Sequence, residues 1–319
     1  MEDIVFCIPQ NDQSVVLEIS NVEYFYRKYK ALDSVSCKLE SGYACALLGH
    51  NGAGKTTLIK IVSGLIKPNS GYAKFYNSDV WNSNCLHIKK NIGVLFESNG
   101  LYENLTAWDN LVLVAKIFSA DLFWESIAIN LLKNFDLFSR RQEIVRSWSA
   151  GMKRKLAIVR TFITSPQLVI LDEPTKGLDP ISKINLRSIL NAYRLAGGSA
   201  LFATQEIDEA ERLADYIIIM KNGKQLFFGS CDSLRHKHNL FSFQSNHRFE
   251  FENIRTLFPS ESEFLAFDIV PNGTIFSVIF PSNYVFTEEL KIHLVQKGVI
   301  QKPVHLEDIY YFYDQSYDH

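Results

Sequence analysis

The sequence predicts an α/β protein followed by a smaller α+β domain, and three observations carry that prediction. An apolar run at residues 44–48 passes through Gly49-His50-Asn51-Gly52-Ala53-Gly54-Lys55-Thr56-Thr57 into the helix-competent segment 58–62. Further short apolar runs alternate with stretches of helical period, the pattern of strands covered by helices. Composition shifts near residue 240, beyond which two strand-like segments, 263–270 and 274–280, flank the hairpin signal Pro271-Asn272-Gly273.

In chain order, residues 1–16 are unpatterned and read as a loose N-terminal extension. Segments 15–19 and 35–39 read as strands, the second because Val35, Cys37 and Leu39 alternate with polar neighbours. Lys67-Pro68-Asn69-Ser70-Gly71 supplies stop signals for the helix after the glycine-rich loop. Segments 72–76 and 92–96 read as strands. Thr106 and Asp109 form a capping-box pattern that opens a helix to residue 118. Residues 124–135 and 152–164 read as two more helices, the last ended by Ser165-Pro166. Residues 168–171 are uniformly apolar, as a strand buried on both faces must be. Helices at 182–195 and 207–214 surround a buried strand at 200–203, and 216–220 with 225–228 form a hairpin around Asn222-Gly223. Helices at 286–295 and 306–313 complete the C-terminal part.

The glycine-rich loop carries the chemistry. Gly49, Gly54, Lys55 and Thr56 satisfy G-x-x-x-x-G-K-[ST] in the strand–loop–helix context this motif requires. Glycines let successive N–H groups turn inward, and the helix N-terminus adds partial positive charge, so the loop suits a polyphosphate. Asn51, Gly52, Ala53 and Thr57 belong to the same cradle. Lys55 reaches the terminal phosphates and the Thr56 hydroxyl suits Mg²⁺. Asp172 and Glu173, at the end of the 168–171 strand, supply what a cradle lacks: a carboxylate for Mg²⁺ and one to polarise an attacking water.

Bulk properties narrow the classes. The 319 residues are 47% hydrophobic and 21% charged, with a net charge of −2, so no strong field favours nucleic acid or an anionic membrane. Cys7, Cys37, Cys45, Cys85 and Cys231 show no C-x-x-C spacing, which reads as free thiols in a reducing compartment. The longest apolar runs fall far short of the roughly 18 residues a membrane span needs. A cytoplasmic chain is expected, with any membrane role reached through a partner.

Residues 171–180, Leu-Asp-Glu-Pro-Thr-Lys-Gly-Leu-Asp-Pro, resemble the Walker B segment and D-loop of ATP-binding cassette (ABC) ATPases, usually LDEPTSGLDP. Lys176 stands at the usual serine. Trp148-Ser149-Ala150-Gly151-Met152 is similar to the family signature LSGGQ, and 92–97 to the Q-loop, with Glu97 in place of the usual glutamine. Ala203-Thr204-Gln205-Glu206 resembles the switch segment, with Gln205 at the usual histidine. The resemblance covers residues 17–235.

It implies a P-loop NTPase core at about 17–239, with a helical subdomain at about 100–164 and an antiparallel β subdomain, and a small α+β domain at 240–319. It implies ATP and Mg²⁺ as cofactors, with Thr56, Asp172 and Glu97 toward the metal and Tyr26 stacking on adenine; Tyr24 is a second candidate. Glu173 acts as general base and Gln205 as sensor. Ser149, Ala150, Gly151 and Asp179 serve the site across a head-to-tail dimer of ATPase subunits. Gly100-Leu101-Tyr102-Glu103-Asn104-Leu105-Thr106 and the 149–156 segment resemble the drug, antibiotic and lantibiotic exporter ATPases that work with ABC-2-type permeases. Residues 99–106 then receive the membrane partner. Two alternatives stay open at this point: a nucleotide-binding regulator that hardly hydrolyses, suggested by Glu97 and Gln205, and a soluble ABC protein without a permease.

Overall fold

The computed structural model describes residues 6–9, 11, 14–81, 86–118, 120, 123–230, 233, 240–245, 254–258, 262–270, 273–280 and 286–315. The chain divides into two compact units, Met1–Phe228 and Gly229–His319.

Ten strands form the sheet of the first unit: β1 (Val15–Tyr26), β2 (Tyr29–Glu40), β3 (Ala44–Leu48), β4 (Ser70–Phe75), β5 (Ser78–Asp79), β6 (Ile92–Leu95), β7 (Leu168–Asp172), β8 (Ser199–Thr204), β9 (Tyr216–Lys221) and β10 (Lys224–Ser230). Their order is β5-β4-β1-β2-β10-β9-β3-β8-β7-β6. The arm β2-β1-β4-β5 is antiparallel, and β9-β3-β8-β7-β6 is parallel. Every residue of β3, β7 and β8 is buried, which is why these strands read as unbroken apolar runs. Parallel strands place their C-terminal ends on one edge. The loop after β3, Asp172-Glu173 after β7 and Gln205 after β8 therefore converge there.

Helices α1 (Lys55–Val62), α2 (Leu86–Lys90), α3 (Ala107–Ile117), α4 (Trp124–Asn134), α5 (Ala150–Phe162), α6 (Pro180–Leu195) and α7 (Ile207–Leu213) complete this unit. The Thr106 box forms: its Oγ1 accepts from Asp109 N at 3.0 Å and donates to Asp109 Oδ2 at 2.6 Å. Buried Asn110 donates to the carbonyls of Tyr102 and Thr106 at 3.0 and 2.9 Å, and so holds the turn before α3.

Several sequence expectations are corrected. Helix α1 ends at Val62, before the Lys67–Gly71 stop signals, because Gly64 adopts φ 73° and Leu65 N bonds Lys60 O. The short elements β5 and α2 escaped notice because neither is long enough to show a period. The N-terminal extension is not loose among its described residues. Phe6 and Ile8 are buried, Phe6 sits 5.9 Å from the Phe162 ring and 5.4 Å from Tyr193, and Gln167 Nε2 donates to Pro9 O at 2.8 Å.

In the second unit, β11 (Leu240–Ser245), β12 (Glu263–Val270), β13 (Gly273–Ile279) and β14 (Val299–Lys302) form an antiparallel sheet in the order β12-β13-β11-β14. The expected β12–β13 hairpin is present, although Pro271 and Asn272 lie outside the described residues. Strands β11 and β14 were not expected from the sequence. Phe243, Phe258, Phe276, Phe280, Leu294 and Val299 form the core beneath α8 (Glu288–Gln296), and α9 (Leu306–Gln315) follows β14.

Candidate functional site

A cleft of about 230 Å³ opens at the C-terminal edge of the parallel strands. Its floor is the loop between β3 and α1. Gly54 caps α1 at φ 102°, and a Cβ there would meet Ala31 O at 2.8 Å, so only glycine fits. A Cβ on Gly49 would stand 2.4 Å from Met220 O, inside contact distance. These two positions let the loop fold back against β2 and β9. Lys55 is 7% exposed and donates through Nζ to Gly49 O at 2.5 Å and His50 O at 3.2 Å. Burial lowers its pKa, opposed by the charges of Glu173 and Asp172.

Strand β8 lies between β3 and β7, so the carboxylates do not follow a strand adjacent to the loop strand. They reach the loop because α1 leans over that edge. Thr56 Oγ1 donates to Asp172 Oδ2 at 3.0 Å, and Lys55 Nζ stands 3.7 Å from Glu173 Oε1. Burial raises the Asp172 carboxyl, and the Thr56 hydrogen bond opposes that. Glu173 has a left-handed backbone, φ 48°, which is strained for a residue with a side chain. That bend turns its carboxylate into the cleft. Three bonds hold it: Glu173 N donates to Ala203 O at 3.0 Å, and Glu173 O accepts from Arg154 Nη2 at 2.7 Å and from Lys176 N at 3.1 Å. Gln205 Nε2 donates to Asn51 Oδ1 at 3.0 Å and to Glu173 Oε1 at 3.3 Å, linking β8, the loop and the carboxylate.

The sequence reading missed Arg154. It is 5% exposed on α5 and donates to the carbonyls of Phe96, Asp172 and Glu173 at 2.7, 2.6 and 2.7 Å, and to Asn99 Oδ1 at 3.2 Å. In the sequence it sits inside a basic run, Lys153-Arg154-Lys155, that reads as a solvated face. Its place on the inner side of α5 was the available signal, because it falls three and four residues before the core positions Ala157 and Ile158. Lys176 was also missed as a site residue. Its Nζ pairs with Glu97 Oε1 at 2.6 Å, and that cation holds the Glu97 carboxyl below the usual range.

Of the expected residues, Tyr26, Asn51, Gly52, Ala53, Gly54, Lys55, Thr56, Thr57, Glu97, Asp172, Glu173 and Gln205 line the cleft. Tyr29, Ala31, His50 and Lys176 join them. Tyr24 does not; its ring packs edge-on against Tyr26 at 4.8 Å. Ser149, Ala150, Gly151 and Asp179 also stand outside this cleft. Ser149 caps α5 by accepting from Met152 N at 3.3 Å, and Asp179 caps α6 by accepting from Ser182 N at 2.9 Å. Lys155 ties α5 to the α6 cap through a 2.9 Å ion pair with Asp179.

A family profile described as ABC transporter matches residues 32–176. The lantibiotic transport ATP-binding protein SrtF of Streptococcus pyogenes is 35% identical over 229 residues, which cover 72% of this chain and 97% of that protein. This chain belongs to the ABC transporter family. The daunorubicin/doxorubicin resistance ATP-binding protein DrrA of Streptomyces peucetius is 32% identical over 222 residues, 69% of this chain and 66% of its own. Among solved structures, an ATP-binding subunit of an ABC transporter superposes with a TM-score of 0.67 at 31% identity, covering 70% of this chain and 92% of that one. As an ABC ATPase, the protein carries its glycine-rich loop, its strand-end carboxylates and Gln205 on one edge of one sheet. No helix among the described residues is long and apolar enough to cross a membrane.

Proposed function

We propose that the chain is the ATP-hydrolysing subunit of an exporter. It powers transport through a separate ABC-2-type membrane permease at the cytoplasmic face of the membrane, paired with a second ATPase subunit. The observation that carries the ATPase reading is the gathering of Lys55, Thr56, Asp172, Glu173 and Gln205 around one cleft. Export is supported by the relatives, one named for lantibiotic transport and one for drug resistance.

The cradle's amides and Lys55 hold the phosphates, and Tyr26, 43% exposed at the cleft wall, offers a face for the adenine ring. The Thr56 hydroxyl and the Asp172 carboxylate are hard oxygen donors 3.0 Å apart, a set that fits Mg²⁺. Bound there, the ion would neutralise charge on the phosphate oxygens. Glu173 accepts a proton from the water that attacks the γ-phosphorus, as the bond to the ADP oxygen breaks. The Gln205 amide donates to a γ-phosphate oxygen and steadies Glu173. Ser149, Ala150 and Gly151, exposed or half-buried at the start of α5, serve the partner subunit's nucleotide, with Asp179 beside them. Residues 99–106, where Tyr102 is 58% exposed, receive the permease.

The test is Mg-ATPase activity of the chain together with its permease. Wild type is expected to exceed a Glu173→Gln variant by about 10²-fold or more. Equal rates would reject hydrolysis and leave the nucleotide-binding regulator. Failure to copurify with a membrane protein of about six spans would favour a soluble ABC protein.

A further inference from the structure

The cleft carries one more carboxylate than cation. Glu97, Asp172 and Glu173 line it against Lys55 and Lys176. Lys55 is occupied by Gly49 O, His50 O and the nearby Glu173. Asp172 is engaged by Thr56, and its backbone carbonyl by Arg154. Glu97 has its Oε1 on Lys176 Nζ at 2.6 Å, and its charge is close enough to Asp172 to act on that carboxyl. Both side chains are 62% exposed, so neither is held there by burial. The two residues come from separate segments, one after β6 and one in the turn after Glu173, and they meet only across the cleft. They are also the two positions where the Q-loop and Walker B resemblances break, each toward a charge.

We propose that Lys176 sets the affinity of the cleft for the nucleotide's phosphates by neutralising Glu97, so that the two positions act as one unit. This rests on the reading of the cleft as an ATP site. A polyphosphate entering beside an unpaired carboxylate meets a repulsion that grows with its charge. Beside the Glu97–Lys176 pair it meets a local net charge of zero. Removing Lys176 therefore exposes the carboxylate to the phosphates, whereas removing the charge of Glu97 frees a lysine to attract them. The single changes have opposite signs, and the double change restores neutrality.

The experiment is equilibrium binding of a fluorescent ATP analogue to the full chain in the presence of EDTA, so that metal contacts do not enter. Adenosine, which has no phosphates, serves as competitor control. K176S is expected to weaken analogue binding about five-fold at low salt, E97Q to tighten it by a similar factor, and E97Q/K176S to return within about two-fold of wild type. The differences should shrink at about 0.5 M salt. Adenosine affinity should not change in any variant. Because both side chains are exposed, the variants should melt with the wild type, which separates affinity from folding. If K176S and E97Q both bind as wild type does, or shift in the same direction, the proposal is overturned while the ATP site stands. If the wild-type chain does not bind the analogue at all, the ATP-site reading itself fails.

Discussion

Arg154→Met removes the clamp that joins α5 to the cleft. The side chain is 5% exposed and its guanidinium serves three backbone carbonyls, those of Phe96, Asp172 and Glu173. Methionine fills much of the volume but donates nothing. Glu173 O keeps Lys176 N as a donor, whereas the Phe96 and Asp172 carbonyls lose the guanidinium, at about 1 kcal/mol or more each. Against that stands relief from keeping a cation in a site where burial pulls its pKa down and leaves Nε without a partner. The balance is a loss of about 2–4 kcal/mol, or a melting point lower by about 4–16 °C for a unit of this size. Activity should fall further than stability accounts for. Three bonds hold the left-handed backbone of Glu173, and the charged one comes from Arg154. With it gone, the carboxylate drifts from the attacking water, and turnover should drop about 10- to 100-fold. ATP affinity should change little, since Lys55 and Thr56 do not touch Arg154. Arg154→Lys keeps the charge but cannot span both segments, and should lie between. Urea unfolding, analogue binding and single-turnover hydrolysis are the assays. A variant within about 0.5 kcal/mol of wild-type stability, with unchanged turnover, would refute the reasoning.

Three further outcomes are expected. The pH–rate profile of the wild type should show no limb near about 6.5 that depends on position 205, because an amide there does not titrate; Gln205→His should introduce one. Such a limb in the wild type that disappears only on changing Gln205 would contradict this. Asp179→Ala should cost about 1 kcal/mol at neutral pH through loss of the α6 cap. The Ser182 hydroxyl, then Lys155 and Ser182 N–H, hold the Asp179 carboxyl well below the usual carboxylate range. Its contribution is therefore complete above the unfolded value of about 3.9 and fades as pH falls through the depressed native value. The wild-type advantage in urea should thus persist at pH 6 and narrow in strong acid, and an advantage that grows on acidification would reverse the sign. Finally, alkylation mapped by mass spectrometry should label exposed Cys7 and spare Cys37 and Cys45, which are buried; burial pushes the Cys37 thiol up to about 12. Equal labelling of Cys7 and Cys37 in the folded protein would count against this packing.

The parallel core was legible because β3, β7 and β8 are buried on both faces, and such strands must be written as unbroken apolar runs. The loop motif was legible because its glycines answer local demands: a left-handed φ at Gly54 and no room for a Cβ at Gly49. Strands β11 and β14 were not legible: β14 is an edge strand of four residues, too short to show alternation, and β11, though an inner strand, is only six residues long and begins at the composition shift near residue 240. Phe6 and Ile8 lie in a stretch with no periodicity, and their burial depends on an aromatic cluster built from α5 and α6.

By itself the sequence determined which chemical groups are present: the cradle, the two strand-end acids, and the two exchanges, Glu97 and Gln205. Their chemistry is local, and residue type with spacing expresses it. Only the tertiary structure decided what those exchanges do. It joined Glu97 to Lys176 across 79 residues of sequence and placed Gln205 between Asn51 and Glu173. It also turned Arg154 from one member of a basic run into a buried clamp. Ion pairs and clamps between distant segments exist only once the chain has folded, because only then do the strand ends and α5 share one edge of the sheet.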